Sequence, residues 1–290
     1  MATALDFEYV APASLEEALA ELGARDGDVK VLAGGQSLVP LLNYRLARPS
    51  TIVDINGLPL AGISMDDGWL RIGALTRHVT LQHSPEIRAA CPVLADAAAL
   101  IGNVRVRTLG TLGGSLAHAD PAGELPMVMV ALDARLTLRR RGGRRIVAAR
   151  DFFTGILTTT LGADELLTEV EVPLTSGAGY AVEEFARRAG DFALVAVTAL
   201  VRIDRRGRVD DARLAIGGVG PVPVRSIAAE EGLRGQEPTA ERLAQVAGAA
   251  ARALDPVSDA FASGSYRRHL TAILTRRVLT GAVARAMEAA

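Results

Sequence analysis

Val31-Leu32-Ala33-Gly34-Gly35-Gln36-Ser37-Leu38 and Gly110-Thr111-Leu112-Gly113-Gly114-Ser115 share one pattern: a glycine pair set after an apolar segment and before a helix-like one. Glycine has no Cβ, so an anion can come close to the main chain at such a turn, and successive N–H groups near a helix start converge on it. Neither stretch holds Lys or Arg, which predicts that amide dipoles neutralise the ligand more than side chains do. Read as a pair, the stretches predict a two-sided clamp on a pyrophosphate. Their spacing fits neither the G-x-G-x-x-G dinucleotide fingerprint nor the G-x-x-x-x-G-K-[ST] phosphate loop, which argues against a classical NAD fold and an NTPase.

Outward from the first stretch, Phe7 to Val10, a helix from the capping-box-like Ser14-Leu15-Glu16-Glu17 through Leu22, and Val29 to Leu32 read as strand, helix, strand. Ser37 is placed to cap a short helix carrying Leu38, Leu41, Leu42 and Leu46, with Pro40 in its first turn, and Thr51 to Ile55 resumes as a strand. Around the second stretch, Trp69 to Ile72 reads as a strand, Ala89 to Leu100 as a helix, Glu124 to Leu132 as a buried helix and Arg135 to Arg139 as an alternating strand. Leu166 to Val172 closes that unit before Thr175-Ser176-Gly177-Ala178-Gly179, which reads as a linker. Strands at Glu183 to Ala186, Ala193 to Ile203 and Arg213 to Ile216, with a turn at Arg205 to Arg208, then precede helices at Ile227 to Leu233, Thr239 to Leu254 and Tyr266 to Ala289. The expectation is an α+β chain: two α/β subdomains, residues 1–57 and 58–175, and a separate C-terminal lobe of antiparallel sheet with appended helices, residues 176–290.

Composition removes several function classes. With 49% hydrophobic residues, the 290-residue chain can bury sizeable cores. Lys and Arg number 32 against 33 Asp and Glu, so no net field favours a nucleic acid partner. Cys91 is the single cysteine, which excludes an internal disulfide and an iron–sulfur cluster held by this chain's thiolates alone. Met1 to Val10 has no basic region before an apolar run, and Phe192 to Val201, the longest apolar stretch, falls well short of the roughly 18 residues of a membrane helix. These features lead to the expectation of a soluble, cytoplasmic protein without a membrane span.

Three ordered motifs carry a family resemblance: Val31 to Leu41, Ile101-Gly102-Asn103-Val104-Arg105-Val106-Arg107, and Gly110 to Pro121. Together with Asp151-Phe152-Phe153, Asp164 to Val170, Arg187 to Ala193 and Ser263 to Leu270, they make the chain closely resemble the FAD-binding medium subunit of molybdenum hydroxylases, of the carbon monoxide dehydrogenase and xanthine dehydrogenase type. The resemblance implies two FAD-binding subdomains of the PCMH type, with the pyrophosphate on Ala33, Gly34, Gly35, Gln36 and Ser37 and on Gly110, Thr111, Gly113, Gly114 and Ser115. It also implies that Val31, Leu32 and Leu38 flank the cradle, that Ile101 lies against the isoalloxazine, that Leu167 packs on the cofactor and that Asp120 and Glu124 hold the adenosine half. Phe192 matches a position where relatives place an aromatic ring beside the flavin. The chain departs from many relatives at Thr108-Leu109, where Asn-Arg is common, and at Glu183, where xanthine dehydrogenase types carry Lys.

In such enzymes substrate is oxidised at a molybdopterin cofactor on a large subunit, and electrons pass through [2Fe-2S] clusters of a small subunit to FAD. The resemblance therefore implies an oxidoreductase flavoprotein subunit that relays electrons to an external acceptor, in a heteromer expected to be a dimer of heterotrimers. No catalytic acid–base residue and no metal ligand is assigned to this chain. Two other readings stay open: a stand-alone FAD-dependent oxidase or dehydrogenase of related fold, and a non-catalytic scaffold. On residues alone, Asp120 also reads as a turn residue before Pro121, Glu124 as a first-turn acid and Phe192 as a core aromatic. His118 reads as a loop-ordering residue, and the C-terminal Arg267, Arg268, Arg276 and Arg277 as a solvated helix face.

Overall fold

Local signals explain the first unit. The Ser14 hydroxyl accepts from the Glu17 amide at 3.2 Å and the Glu17 carboxylate accepts from the Ala13 amide at 2.8 Å, so helix α1 (Leu15–Gly23) starts where its capping residues say it should. A computed structural model describes residues 6–24 and 28–289; the part of the Met1 to Val10 leader reading that precedes Asp6 lies outside the described residues. Strands β1 (Glu8–Val10), β2 (Val29–Leu32) and β3 (Thr51–Asp54) form a parallel sheet in the order β1-β3-β2. Ala18, Leu19 and Leu22 of α1 pack with Val53 and Ile55 beneath it. Helix α2 (Leu38–Asn43) is shorter than its leucine pattern predicts, because Arg45 turns the chain at φ 58° and leaves Leu46 exposed.

The second unit is an antiparallel sheet with a helical layer. Its strands are β4 (Ile63–Asp66), β5 (Trp69–Gly73), β6 (Arg135–Arg140), β7 (Gly143–Ala148) and, after the short pair β8 (Phe153–Gly155) and β9 (Thr158–Thr159), β10 (Leu166–Pro173). The five long strands lie in the order β4-β5-β10-β6-β7. Between β5 and β6 run α3 (His78–His83), α4 (Pro85–Ala90), α5 (Pro92–Leu100), α6 (Val104–Leu109), α7 (Leu112–His118) and α8 (Glu124–Ala131); α9 (Ala149–Phe152) follows β7. The single helix expected over Ala89 to Leu100 is two, since Pro92 drives Cys91 to φ −151° and restarts the helix behind it. Every residue of α8 is buried, as its unbroken apolar run predicts.

The third unit is antiparallel in the order β11-β12-β13-β14: β11 (Gly179–Phe185), β12 (Val195–Ile203), β13 (Val209–Gly217) and β14 (Val224–Arg225). Helices α10 (Ile227–Leu233), α11 (Ala240–Arg252) and α12 (Gly264–Ala289) cover one face. The other face packs on the second unit: Ala196, Leu200 and Ala215 belong to the same core as α5 and α8. The lobe is therefore seated on its neighbour, not separate from it. The linker reading falls on the irregular segment between β10 and β11, which is anchored at both ends: Thr175 is buried with its amide on the Ala90 carbonyl at 2.9 Å, and Gly179 opens β11 where a Cβ would strike the α12 backbone. Arg267 is also no solvated residue: its guanidinium is buried and donates to the carbonyls of Leu194 and Gly218 and to Asp259. Strand β10 joins the first two units, with Leu166 in the core of one and Leu167 in the core of the other.

Candidate functional site

Strand β2 ends at Leu32 and delivers Ala33 to Ser37 as irregular backbone ahead of α2. Among the described residues, the amides of Gly34, Gly35, Gln36 and Ser37 have no protein acceptor. Ser37 stands at the N-cap position of α2 but makes no side-chain cap bond, so its expected capping role is not taken up and its hydroxyl is unengaged. The turn is held from within by Gln36 Nε2, which donates to the Gly34 carbonyl at 3.0 Å, and from outside by Asn56 Nδ2, which donates to the Ala33 carbonyl at 2.7 Å. Gly35 has φ 70°, where a side chain is strained, and a Cβ on Gly34 would overlap the Leu109 carbonyl oxygen and lie 2.8 Å from Gly110 Cα. These residues open onto a cleft of about 580 Å³ lined by Leu32 to Gln36, Val39, Pro40, Asn43, Asn56, Arg77 and Leu109. That volume lies in the range of ligand sites.

The second stretch abuts the first but is built differently. Its glycines are not a turn; they are the first turn of α7, whose N-cap Thr111 accepts from Gly114 through Oγ1 at 3.2 Å. The Leu112 amide donates to the Thr76 carbonyl at 2.9 Å, Gly113 to Ala74 at 2.8 Å and Ser115 to Thr111 at 3.0 Å. The two sides of the expected clamp therefore differ, since four amides here are already engaged inside the protein. What this side offers is the Ser115 hydroxyl, unengaged among the described residues, and the close seat of Gly114, where a Cβ would stand 3.8 Å from Ala33 Cβ.

Arg77, between β5 and α3, and Asn56, between β3 and β4, were not singled out from the sequence. Arg77 Nη1 donates to the Leu109 carbonyl and Nη2 to Asn56 Oδ1 at 2.8 Å, which ties the two stretches together. Arg77 thus adds one side-chain cation to a cleft whose two glycine stretches carry none. Asn56 in turn donates to Asp54 Oδ1 at 2.7 Å, and Tyr9 donates to Asp54 Oδ2 at 2.6 Å. Burial works against the Asp54 carboxylate, but the Tyr9 and Asn56 hydrogen bonds and the Arg77 charge outweigh it and hold its pKa below the ordinary value. His78 is buried, with its amide on the Gly110 carbonyl at 3.0 Å and Nε2 on the Thr111 carbonyl at 2.9 Å. A carbonyl only accepts, so Nε2 carries the proton. Burial, with Arg77 and Arg107 nearby, lowers the His78 pKa to about 4 against the pull of that hydrogen bond. Polar residues at strand ends beside a glycine stretch, here Asp54, Asn56 and Arg77, are the signal that would have found this set.

The remaining residues divide into two places. Ile101 is 8% exposed, and Arg107 donates to its carbonyl at 2.9 Å and to that of Gly102 at 3.2 Å. A Cβ on Gly190 would lie 3.1 Å from the Gly102 carbonyl oxygen, so the segment bearing Phe192, itself 66% exposed, sits against the Ile101 turn. Leu167 is buried in the core of the second unit. Asp120 shapes its own turn, accepting from the Ala122 amide at 2.9 Å through Oδ1. Glu124 begins α8 and is buried; burial raises its pKa to about 7, with the Glu184 and Asp120 charges adding. Glu184 reaches the same seam from β11 with Oε2 buried and unpartnered, and burial raises it to about 7 as well. Its neighbour Glu183 points the other way, onto Arg277 of α12 at 2.9 Å. Burial lowers the His118 pKa against the pull of Asp120.

The residues fit a dinucleotide. Unengaged amides and one cation at the same cleft suit a diphosphate, and the buried seam residues suit groups that hydrogen-bond in a dry place. Among the described residues, no group of three His, Cys, Asp or Glu side chains is arranged to hold a metal ion, and no helix is long and apolar enough to cross a membrane.

Comparison with known proteins gives the same direction. Residues 5–175 match the family model of the FAD binding domain in molybdopterin dehydrogenase, and residues 180–282 that of the CO dehydrogenase flavoprotein C-terminal domain. The chain is 42% identical to subunit alpha of the 6-hydroxypseudooxynicotine dehydrogenase complex of Paenarthrobacter nicotinovorans, covering 97% of this chain and 95% of the relative. It is 36% identical to the carbon monoxide dehydrogenase medium chain of Hydrogenophaga pseudoflava, covering 96% and 98%. Among solved structures, a carbon monoxide dehydrogenase from Hydrogenophaga pseudoflava superposes with a TM-score of 0.94 at 38% identity, covering 97% of this chain and 98% of that one. Quinoline 2-oxidoreductase from Pseudomonas putida 86 gives 0.93, also at 38% identity, over 97% and 98%.

Proposed function

The chain belongs to the family of FAD-binding medium subunits of molybdenum hydroxylases, and from that premise we propose that it is the electron-relay subunit of a heteromeric, cytoplasmic enzyme. It is an oxidoreductase flavoprotein subunit with FAD as its cofactor. The finer reading is that electrons arrive from [2Fe-2S] clusters on a small partner subunit, after substrate oxidation on a large molybdopterin subunit, and leave to an external acceptor. Bound FAD supplies the redox chemistry, since it accepts and releases electrons singly or in pairs. The observation that carries the reading is the cleft in which the amides of Gly34 to Ser37 stand unengaged beside Arg77.

Each residue then has a task at the cofactor. Gly34 and Gly35 admit the diphosphate to the backbone, and the Ser115 hydroxyl donates from the other side. Ile101 and Phe192 cover the ring from a shared seat, Leu167 supports the wall, and Asp120 and Glu124 take hydrogen bonds at the seam. Phe192 is exposed, so a ring held beside it would be within reach of an external acceptor. Relatives of this chain serve enzymes named for substrates as different as carbon monoxide and quinoline, which supports substrate choice by a partner chain. The stand-alone oxidase reading would need a base beside the ring, and buried, neutral His78 is engaged elsewhere.

Purification of the tagged chain from its native cell, followed by metal and flavin analysis, tests the proposal. Molybdenum, iron and FAD in one heteromer, sized as two copies of each of three chains, is the expected result. A lone chain that oxidises a substrate at full rate would end it.

A further inference from the structure

Among the described residues lining the cleft, Arg77 alone carries a charge. It belongs to neither glycine stretch; it stands at the N-cap position of α3, between the two units. Its guanidinium is held by two neutral acceptors, the Leu109 carbonyl and Asn56 Oδ1. Among the described residues, no carboxylate lies within ion-pair distance of it. Asp54, the nearest acid it acts on, is engaged by Tyr9 and Asn56. A planar group with five donors, two of them used to fix its orientation, keeps the rest for a ligand. A half-buried cation with no carboxylate in direct contact, set in an otherwise uncharged cleft, has room for an anion.

Resting on the assignment of the diphosphate to the first stretch, we propose that Arg77 is the cationic anchor of the FAD diphosphate. Asn56 is a positioning residue that aims it. Asn56 acts in two directions at once, holding the Ala33 carbonyl through Nδ2 and the Arg77 guanidinium through Oδ1, so the amides of the turn and the cation are fixed relative to each other. Asp54 fixes Asn56, accepting from its side chain at 2.7 Å and its backbone amide at 2.9 Å. The ordering of polar groups from Tyr9 to Leu109 thus ends in one charge beside four open amides. It also explains how a cleft whose glycine stretches lack Lys and Arg can hold a dianionic linkage.

The test titrates the deflavinated protein with FAD, ADP and riboflavin, in wild type, Arg77→Met, Arg77→Lys and Asn56→Ala. Arg77→Met should weaken FAD and ADP alike by about 10- to 100-fold and leave riboflavin unchanged, the loss of a charge-assisted contact. Arg77→Lys keeps the charge and should recover part of the ADP affinity, which a purely structural role would not allow. In wild type, ADP binding should weaken as salt rises from roughly 0.05 to 0.5 M, because a single exposed-edge charge is screened; this measurement stands even where the Met variant does not fold. Asn56→Ala should lose less ADP affinity than Arg77→Met and keep the salt dependence. Salt-independent ADP binding in wild type, or equal loss of riboflavin and ADP in Arg77→Met, overturns the proposal. Wild type that binds neither FAD nor ADP overturns instead the placement of the diphosphate on which it rests.

Discussion

The two glycine stretches look alike in sequence and differ in what their backbones have left to give. Around Gly34 the amides from Gly34 to Ser37 are unengaged and face a cleft; around Gly113 the amides from Leu112 to Ser115 already serve Thr76, Ala74 and Thr111. The first is irregular chain after a strand end, the second a capped helix start bolted to the loop after β5. A glycine pair therefore marks close approach in both places, but of different objects. At Gly34 the neighbour on one side is the Leu109 carbonyl and on the other the cleft. At Gly113 the neighbour is Ala74, whose Cβ would lie 2.6 Å from an added Cβ. One stretch leaves its amides free beside a cleft, and the other spends them on packing.

Substitution should break the apparent symmetry. Gly34→Val places a branched side chain on the Leu109 carbonyl and Gly110 Cα, backbone that cannot swing aside. FAD content should fall below about a tenth of wild type, with overpacking costing the fold roughly 1–3 kcal/mol besides. Gly114→Ala meets only Thr111 Oγ1, at 2.7 Å, which can rotate. A helical alanine gains about 0.5–1 kcal/mol over glycine, offsetting the weakened cap. Flavin absorbance per chain and thermal melts of both variants check this. Equal loss of flavin in the two would restore the symmetric clamp.

A second contrast sets the engaged Asp54 against the buried acids of the seam. Glu124 is raised to about 7 by burial and by its acidic neighbours, so the folded chain holds a proton there that the unfolded chain has lost. Stability from this group is whole below about pH 4.5, falls as pH rises to 7 and is flat above. Glu124→Gln removes the ionisation, and the FAD-free variant should exceed wild type above pH 7 by roughly 1–3 kcal/mol while matching it at pH 4. Urea midpoints at the two pH values measure it. A difference that persists at pH 4 would show that Glu124 acts through packing and not through its charge.

How much of this was legible depends on whether the information is local. The caps of α1, the buried run of α8 and the hairpin at Asp204 to Arg208 are decided by neighbours in the chain, and sequence reading recovers them. The resemblance identified the family, and with it FAD. Where reading failed or was silent, the deciding partner was distant: Arg267 is pinned by Leu194 and Gly218, Thr175 by Ala90, Gly179 by α12, and Arg77 by Leu109 and Asn56. A lone arginine before a helix carries no mark of what it reaches across to. The helix break at Cys91-Pro92 was local and could have been read, since proline restricts the residue before it.

The smallest expected effect tests the second stretch most directly. Thr111 Oγ1 closes the N-terminus of α7 on the Gly114 amide, and the Thr111 carbonyl receives both Ser115 and His78. Thr111→Val keeps the carbonyl and the shape but removes the cap, which should cost the fold about 1 kcal/mol. The Gly114 amide then loses its acceptor. If this stretch is packing alone, FAD affinity stays within about twofold of wild type, under half a kcal/mol. If the freed amide reaches the diphosphate, affinity rises while stability falls, and the two measurements part in sign. Isothermal titration with FAD beside urea unfolding reads both quantities on one sample. An affinity loss larger than the stability loss would instead make the Thr111 hydroxyl itself a ligand of the cofactor, and the second stretch would rejoin the first as a binding element.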